Sequence, residues 1–184
     1  MATGRNYGIV QSTRILLEGR PGSGKTTLAR RIVAGLRERD IPVTGFTTEE
    51  IREAGKRVGF AVETVDGQRG RLAHVAFAGP PRVGKYGVDL DAFERIAIPT
   101  LRAAPGALVV IDELGKMELA SKPFRDAVEA LFASDADVVA TVHVFRHPFT
   151  DALKARPDVE RLQVTAANRD DLARVLVRKL ASGF

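Results

Sequence analysis

The chain has no cysteine among its 184 residues. This absence excludes a disulfide framework and a thiolate metal site, and it favours a reducing compartment. Long apolar runs are missing too, because no stretch approaches the roughly 18 apolar residues that a membrane helix needs. The N-terminal sequence "MATGRNYGIVQSTR" is polar and does not lead into the apolar core of a signal peptide. We therefore expect a soluble cytoplasmic protein that is not inserted in a membrane.

Positive charge is concentrated in the first half of the chain. The formal net charge is +5, from 28 Lys and Arg against 23 Asp and Glu. Residues 1–92 hold 15 basic and 10 acidic residues, whereas residues 93–184 hold 13 of each. A basic half suits either nucleic acid or the phosphates of a small nucleotide, and no basic run with interleaved aromatic residues occurs. This pattern favours a small nucleotide and leaves nucleic acid open as the alternative ligand.

Hydrophobic periodicity predicts strands that alternate with amphipathic helices. A buried parallel strand is indicated by the apolar run "ALVVIDE", and a hairpin by the alternating pattern around Asp66 and Gly67. The length and the hydrophobic content of 45% fit one domain. We expect residues 1–184 to form a single α/β domain with a mostly parallel sheet flanked by helices. Residues 46–88 would add a hairpin and a basic loop at one side, and residues 1–13 an N-terminal tail.

A complete phosphate-binding pattern, Gly-x-x-x-x-Gly-Lys-[Ser/Thr], occurs as "GRPGSGKT" at residues 19–26. It stands between an apolar strand and a helix, so that loop N–H groups and the helix dipole can hold an anion. Lys25 would reach the β- and γ-phosphates, and the Thr26 hydroxyl would ligate Mg²⁺. The predicted nucleotide-binding residues of this loop are Gly19, Arg20, Pro21, Gly22, Ser23, Gly24, Lys25, Thr26 and Thr27.

A second stretch, "GPPRVGKYG" at residues 79–87, matches most of the same pattern. It has Tyr86 where the Mg²⁺-ligating hydroxyl is required, and its two prolines remove backbone donors where a phosphate would need them. We interpret the match as a coincidence of spacing and expect a loop over or beside the site. Arg82, Lys85 or Tyr86 would contact substrate, or the loop is simply solvated.

Two adjacent carboxylates follow the apolar run "LVVI". Asp112 is expected at the carboxyl end of a buried strand, where open α/β sheets bind ligands, and could hold Mg²⁺ through a water. Glu113 could orient or deprotonate a water aimed at the γ-phosphate. We therefore predict Glu113 and Lys25 as catalytic residues, Thr26 and Asp112 as the metal site, and both carboxylates as part of the nucleotide site.

Several further residues allow two interpretations each. His143 ends a strand and could sense the γ-phosphate, or it is satisfied by a neighbouring backbone group. Asn168 could read a base edge, or it caps a helix with Asp171. Asn168 and Arg169 are further nucleotide-binding candidates. Three arginines could neutralise a transition state, although each also fits an exposed helix or loop: Arg52, Arg125 and Arg169.

The motifs taken together resemble those of the small P-loop nucleoside-triphosphatase family first known from thermophiles. The resemblance is carried by "GRPGSGKTTL", "GFTTEEIR", "RVGFAVETVDGQRG", "GKYGVD", "VVIDELGKMEL" and "NRD", which together span nearly the whole chain. It implies a RecA-like sheet and hydrolysis of nucleoside 5′-triphosphates to the diphosphate and phosphate. It also implies Mg²⁺ as the cofactor and little selectivity among ATP, GTP, CTP and UTP.

Two other functions remain open at the level of sequence. A nucleotide or nucleoside kinase would use the basic residues 52–85 as an acceptor-binding lid, but a carboxylate after Asp112 that activates water argues against it. A nucleotide-gated module for RNA or a protein is compatible with the basic first half. No dimerisation helix is evident, so we expect a monomer. No arginine finger can be assigned from the sequence, which predicts slow turnover unless a partner supplies one.

Overall fold

The computed structural model describes residues 12–102 and 104–183, which form nine β-strands and five α-helices. The strands are β1 (Arg14–Gly19), β2 (Val43–Glu53), β3 (Lys56–Thr64), β4 (Arg69–His74), β5 (Arg82–Val83), β6 (Tyr86–Val88), β7 (Leu108–Leu114), β8 (Asp137–His143) and β9 (Glu160–Gln163). The helices are α1 (Lys25–Arg37), α2 (Leu90–Ala97), α3 (Lys122–Ala133), α4 (Pro148–Lys154) and α5 (Arg169–Ala181). None of these helices is long and apolar enough to cross a membrane. Residues 1–11 of the predicted tail lie outside the described residues.

All nine strands belong to one sheet with the order β5-β6-β4-β3-β2-β7-β8-β1-β9. The strands β2, β7, β8, β1 and β9 pair in parallel, and β3, β4, β6 and β5 extend the sheet by antiparallel pairing. The prediction of an α/β fold with a parallel sheet and an antiparallel addition is confirmed. The predicted hairpin is present as β3 and β4, on either side of Asp66 and Gly67.

The antiparallel addition is larger than that hairpin, because β2 continues past its partner β7. Residues 43–46 of β2 pair with β7, and residues 46–53 pair with β3. The two backbones approach closely at Gly45, which has φ +114°; a Cβ there would lie 1.9 Å from the carbonyl oxygen of Val110. The far half of β2 and the start of β3 therefore project beyond the carboxyl end of the parallel strands.

Each face of the sheet carries its own apolar core, because neighbouring residues of a strand point to opposite faces. Ile15 and Leu17 pack with apolar residues of α1 and α5, whereas Leu16 belongs to the core formed with α2 and α3. In the second core, three fully buried phenylalanines meet edge to face with ring centroids 5.0 to 5.8 Å apart: Phe46, Phe93 and Phe124. Strands covered on both faces give the polar groups at their ends a rigid base.

Candidate active site

The phosphate loop joins β1 to α1, as the sequence predicted. Gly24 stands before the first residue of α1 with φ +95°, a left-handed conformation that favours glycine, and no side chain caps the helix. A Cβ on Gly24 would lie 2.5 Å from Cδ of Arg169, so the absence of a side chain lets Arg169 cover the loop. The first N–H groups of α1 are therefore free of a side-chain cap and suited to an anion.

The ammonium group of Lys25 lies between the loop and the acidic strand end. The Lys25 side chain is buried, and Nζ donates to the carbonyl oxygens of Gly19 at 3.0 Å and Arg20 at 3.3 Å. Its Nζ is also 3.5 Å from Oε2 of Glu113. A positive charge in this place faces both the anion site and the carboxylate expected to act on water.

A buried carboxylate at the end of β1, just before the loop, bonds to side chains from α4 and β9. Glu18 accepts from Nζ of Lys154 at 2.6 Å, from Nη2 of Arg161 at 2.8 Å and from Nε2 of Gln163 at 2.9 Å. Lys154 also donates to the carbonyl oxygen of His143 at 2.7 Å. Burial opposes the ionisation of Glu18, but the hydrogen bonds from Arg161 and Lys154 outweigh it and lower its pKa. The ends of β1 and β8 are thus tied together.

Asp112 lies fully buried beneath the phosphate loop. Its Oδ1 accepts from the Thr141 hydroxyl at 2.7 Å, whereas Oδ2 has no hydrogen-bond partner within the described residues. Burial raises the pKa of Asp112 to about 6, although the hydroxyls of Thr141 and Thr26 favour the ionised form. A buried carboxylate oxygen without a partner fits the edge of a cation site.

The donors next to the phosphate loop are few, and they are oxygen atoms. Across residues 12–102 and 104–183, no three His, Asp or Glu side chains are grouped to hold a metal ion. Mg²⁺ commonly takes one or two protein oxygens and completes its shell with water and substrate phosphates. Thr26 and Asp112 offer oxygen donors of this kind.

Glu113 is held between His143 and Lys25 at the edge of the cavity. Its Oε1 is 2.6 Å from Nε2 of His143, and its Oε2 faces Lys25. Burial raises the pKa of Glu113, but the hydrogen bond and charge of His143, with the charge of Lys25, outweigh it and lower the pKa below its ordinary value. The second interpretation of His143, satisfaction by a backbone group, is wrong, because its partner is the Glu113 carboxylate.

A third carboxyl group, which the sequence analysis did not single out, lies behind Glu113. Glu118 follows β7 in a short 3-10 helix and is only 5% exposed. Burial raises its pKa to about 8, and the charges of Glu113 and Asp112 add to the effect. A Cβ on Gly115 would lie 2.7 Å from Oε2 of Glu118 and 3.1 Å from Oε1 of Glu113. Gly115 thus lets the two carboxyl groups approach each other.

A cavity of about 570 Å³ lies between the phosphate loop and the projecting β2–β3 hairpin. That volume is in the range of small-ligand sites. The loop and α1 contribute Pro21, Gly22, Gly24, Lys25, Thr26, Thr27 and Arg30. The hairpin contributes Thr48, Glu49, Glu50, Arg57 and Phe60, and the opposite rim Glu113, His143 and Arg169. The predicted phosphate loop and the predicted water-activating carboxylate therefore face one cavity.

Asn168 and two of the candidate arginines lie away from this cavity. The side chain of Asn168 donates to the carbonyl oxygen of Gln163 and accepts from the backbone N–H of Thr165, so it does not cap α5 and the predicted capping box is wrong. Arg52 pairs with Glu50, and Arg125 donates to the carbonyl oxygen of Leu119. Arg169 alone of the three lines the cavity.

The second glycine stretch folds into the short strands β5 and β6 at one edge of the sheet. Arg82 is exposed and donates to the carbonyl oxygens of Phe77 and Lys85, and neither Arg82 nor Lys85 lines the cavity. Tyr86 is buried, and its hydroxyl accepts from Nε of Arg57 at 3.1 Å. The stretch thus lies beside the site, and only Tyr86 reaches it, through another side chain.

The residues that sequence reasoning missed belong to the hairpin and to strand interiors. Glu50, Arg57, Phe60 and Thr141 are ordinary strand residues by pattern, and their place depends on which strands pair. The polar run "TTEE" in a strand that begins with apolar residues was the one available signal. It indicates a strand that leaves the buried part of the sheet.

Comparison with known proteins agrees with this geometry. A family model described as NTPase matches residues 14–177. The nucleoside-triphosphatase THEP1 of Thermotoga petrophila is 43% identical over 166 residues, which cover 89% of this chain and 90% of that protein. The cancer-related nucleoside-triphosphatase of Homo sapiens is 41% identical over 173 residues, covering 86% and 91%. The crystal structure of THEP1 from the hyperthermophile Aquifex aeolicus has a TM-score of 0.82 at 36% identity, covering 91% and 99%. The chain therefore belongs to the NTPase family of P-loop nucleoside-triphosphatases, which confirms the resemblance inferred from its motifs.

Proposed function

We propose that this protein hydrolyses nucleoside 5′-triphosphates to the diphosphate and phosphate, with Mg²⁺ and with little selectivity among ATP, GTP, CTP and UTP. One observation carries the proposal: the carboxylate of Glu113, 2.6 Å from His143 and 3.5 Å from Lys25, faces the cavity that the phosphate loop lines. A kinase must keep water from the phosphoryl group, whereas this carboxylate is placed and charged to act on water.

The chain's own groups account for the steps of the reaction. With a triphosphate bound, loop N–H groups and Lys25 hold its β- and γ-phosphates. Glu113 accepts a proton from the attacking water, whose oxygen bonds to the γ-phosphorus as the bond to the β–γ bridging oxygen breaks. His143 fixes the orientation of Glu113 through Oε1, which leaves Oε2 for the proton. Thr26 and Asp112 would hold Mg²⁺, which when bound offsets the charge of the phosphates.

Broad base specificity is supported by the chemistry of the cavity wall. No Asn or Gln lines the cavity in the described part of the chain, and the amide of Asn168 is engaged by backbone groups. Discrimination between bases requires fixed donors and acceptors at the base edge. The wall offers arginine and phenylalanine side chains, whose contact with a base does not depend on its edge. Its two hairpin glutamates, Glu49 and Glu50, are already paired with arginines.

The test is phosphate release from each of the four triphosphates with Mg²⁺, comparing wild type with Glu113→Gln and Lys25→Ala. We expect Glu113→Gln to lower kcat at least about 100-fold while nucleotide still binds, because only the proton acceptor is lost. Lys25→Ala should lower both binding and turnover. Glu129→Gln, an exposed glutamate of α3, is the matched control.

Two outcomes would contradict the proposal. Unchanged turnover in Glu113→Gln would remove this carboxylate from the mechanism. Faster formation of a phosphorylated product than of free phosphate, when nucleoside monophosphates are added, would indicate a kinase. Chelation of Mg²⁺ with EDTA should abolish release, and full activity after chelation would exclude a role for the metal.

A further inference from the structure

Arg57 differs from the other arginines of the cavity in how firmly it is held. Its Nη1 donates to Oε1 of Glu50 at 2.6 Å, and its Nε donates to the hydroxyl of Tyr86 at 3.1 Å. The guanidinium carbon also lies 5.2 Å from the ring centre of Phe60, within range of a cation–π interaction. Nη2 makes no hydrogen bond to any described residue. Contacts on three sides thus fix the guanidinium and leave three of its five N–H donors, including both on Nη2, free for a ligand.

The other two arginines of the cavity lack this support. Arg30 has one partner, Oε1 of Glu49, at a loose 3.7 Å between exposed side chains. Arg169 packs against Gly24 of the phosphate loop, on the side of the cavity away from the hairpin. Arg57 reaches the cavity from β3, opposite the loop. A donor held in place beforehand stabilises developing charge better than a mobile one, because it needs no reorganisation during the reaction.

Tyr86, from the second glycine stretch, forms the support behind Arg57. It is 7% exposed, and its ring meets the Phe60 ring edge to face with centroids 5.3 Å apart. Its hydroxyl also lies 3.5 Å from the carbonyl oxygen of Arg57. The carboxylate of Glu50 is shared between Arg57 and Arg52, so the three side chains together keep one positive charge.

We propose that Arg57 supplies, within the same chain, the positive charge that stabilises the transition state at the γ-phosphate, and that Tyr86 and Glu50 position it. The inference rests on the proposed hydrolysis. As the bond to the bridging oxygen breaks, negative charge grows on that oxygen, and the free N–H groups of Arg57 donate to it or to a γ-phosphate oxygen. The stretch "GKYG" then serves the phosphate site by holding an arginine rather than by binding phosphate.

The test separates turnover from nucleotide binding in Arg57→Ala, Arg57→Lys and Tyr86→Phe. Arg57→Ala should lower kcat by roughly 10³-fold, the lower end of what a transition-state arginine contributes, with the Kd of a non-hydrolysable triphosphate changed less than about threefold. Added guanidinium should restore part of the turnover of Arg57→Ala. Arg57→Lys keeps the charge but loses the fork geometry, so it should stay at least about 10-fold slow. Arg71→Ala changes an exposed arginine of the neighbouring strand β4 that does not line the cavity, and it should behave as wild type.

Tyr86→Phe isolates the positioning contact, because it removes only the hydroxyl and keeps the buried ring. We expect kcat to fall by about 5- to 10-fold with KM nearly unchanged, and the same substitution to have no further effect in an Arg57→Ala background. A general structural defect would instead lower activity in both backgrounds. That result would remove Tyr86 from the proposal.

The outcome for Arg57 is distinguishable from the outcome for hydrolysis itself. If wild type releases phosphate and Glu113→Gln does not, the proposed function stands. If Arg57→Ala then matches Arg71→Ala, or loses nucleotide affinity with kcat intact, the role of Arg57 is overturned. If wild type releases no phosphate, the proposed function fails first and this inference fails with it.

Discussion

Replacing Glu118 by Gln should make the protein more stable at neutral pH. Wild-type Glu118 is buried behind Glu113 and stays protonated in the folded state until its pKa of about 8, whereas its ordinary value is 4.5. Between these two pH values the folded state holds a proton that the unfolded chain has released. Proton binding by Glu118 therefore stabilises the folded state in full below pH 4.5. This stabilisation decreases as the pH rises and is lost above about pH 8. A Gln amide stays neutral at every pH and removes the dependence.

The size of the effect follows from the width of that window. Within it, each pH unit is equivalent to about 1.4 kcal/mol of unfolding free energy for one proton. Between pH 5 and pH 7, wild type should lose between about 2 and 3 kcal/mol relative to Glu118→Gln. Any difference in packing between Glu and Gln is the same at both pH values and cancels. Asp112 and Glu113 remain in both proteins, so their titration is common to the comparison.

The assay is urea unfolding of wild type and Glu118→Gln at pH 5 and pH 7, without nucleotide or Mg²⁺. Glu129→Gln, on the exposed side of α3, serves as control and should follow wild type at both pH values. Equal pH dependence in Glu118→Gln and wild type would show that Glu118 is ionised in the folded state. The burial argument for this carboxyl group would then be wrong.

Two further substitutions test the framework around the site by urea unfolding. Lys154→Met should cost roughly 2–4 kcal/mol, because buried Glu18 loses one of its cations and the carbonyl oxygen of His143 loses its donor; a loss below about 1 kcal/mol would mean that the ion cluster does not stabilise the fold. Gly45→Ala should cost more than about 2 kcal/mol, since a Cβ would lie 1.9 Å from the carbonyl oxygen of Val110. An unchanged urea midpoint in Gly45→Ala would show that β2 and β7 can separate without cost.

The parts of the site that the sequence predicted are those that lie in continuous segments. The phosphate loop is a single run, and Asp112 and Glu113 end a strand whose apolar residues identify it as buried. Parallel strands bring their carboxyl ends to one edge of a sheet, so these two parts were expected to meet. In the structure the phosphate loop and Glu113 line one cavity, whereas Asp112 is fully buried.

The residues that could not be predicted depend on strand register. Arg57 faces the cavity because β3 pairs with the projecting half of β2. The Tyr86 hydroxyl contacts Arg57 because only β4 lies between β6 and β3 in the sheet. His143 meets Glu113 because β8 lies between β1 and β7. A local sequence pattern predicts that a strand forms, but it does not predict which strand pairs with it.

The two edges of the sheet have a consequence for how copies of the protein behave at high concentration. One edge is β5, with two residues, and the other is β9, with four. An exposed edge strand is a template for pairing with another chain, and long flat edges promote aggregation. Here the longest strands, β2 and β3, lie inside the sheet between β7 and β4, so neither of them is an edge strand. A second molecule could add only a few backbone hydrogen bonds at either edge. We therefore expect little tendency for the sheets of two molecules to pair edge to edge.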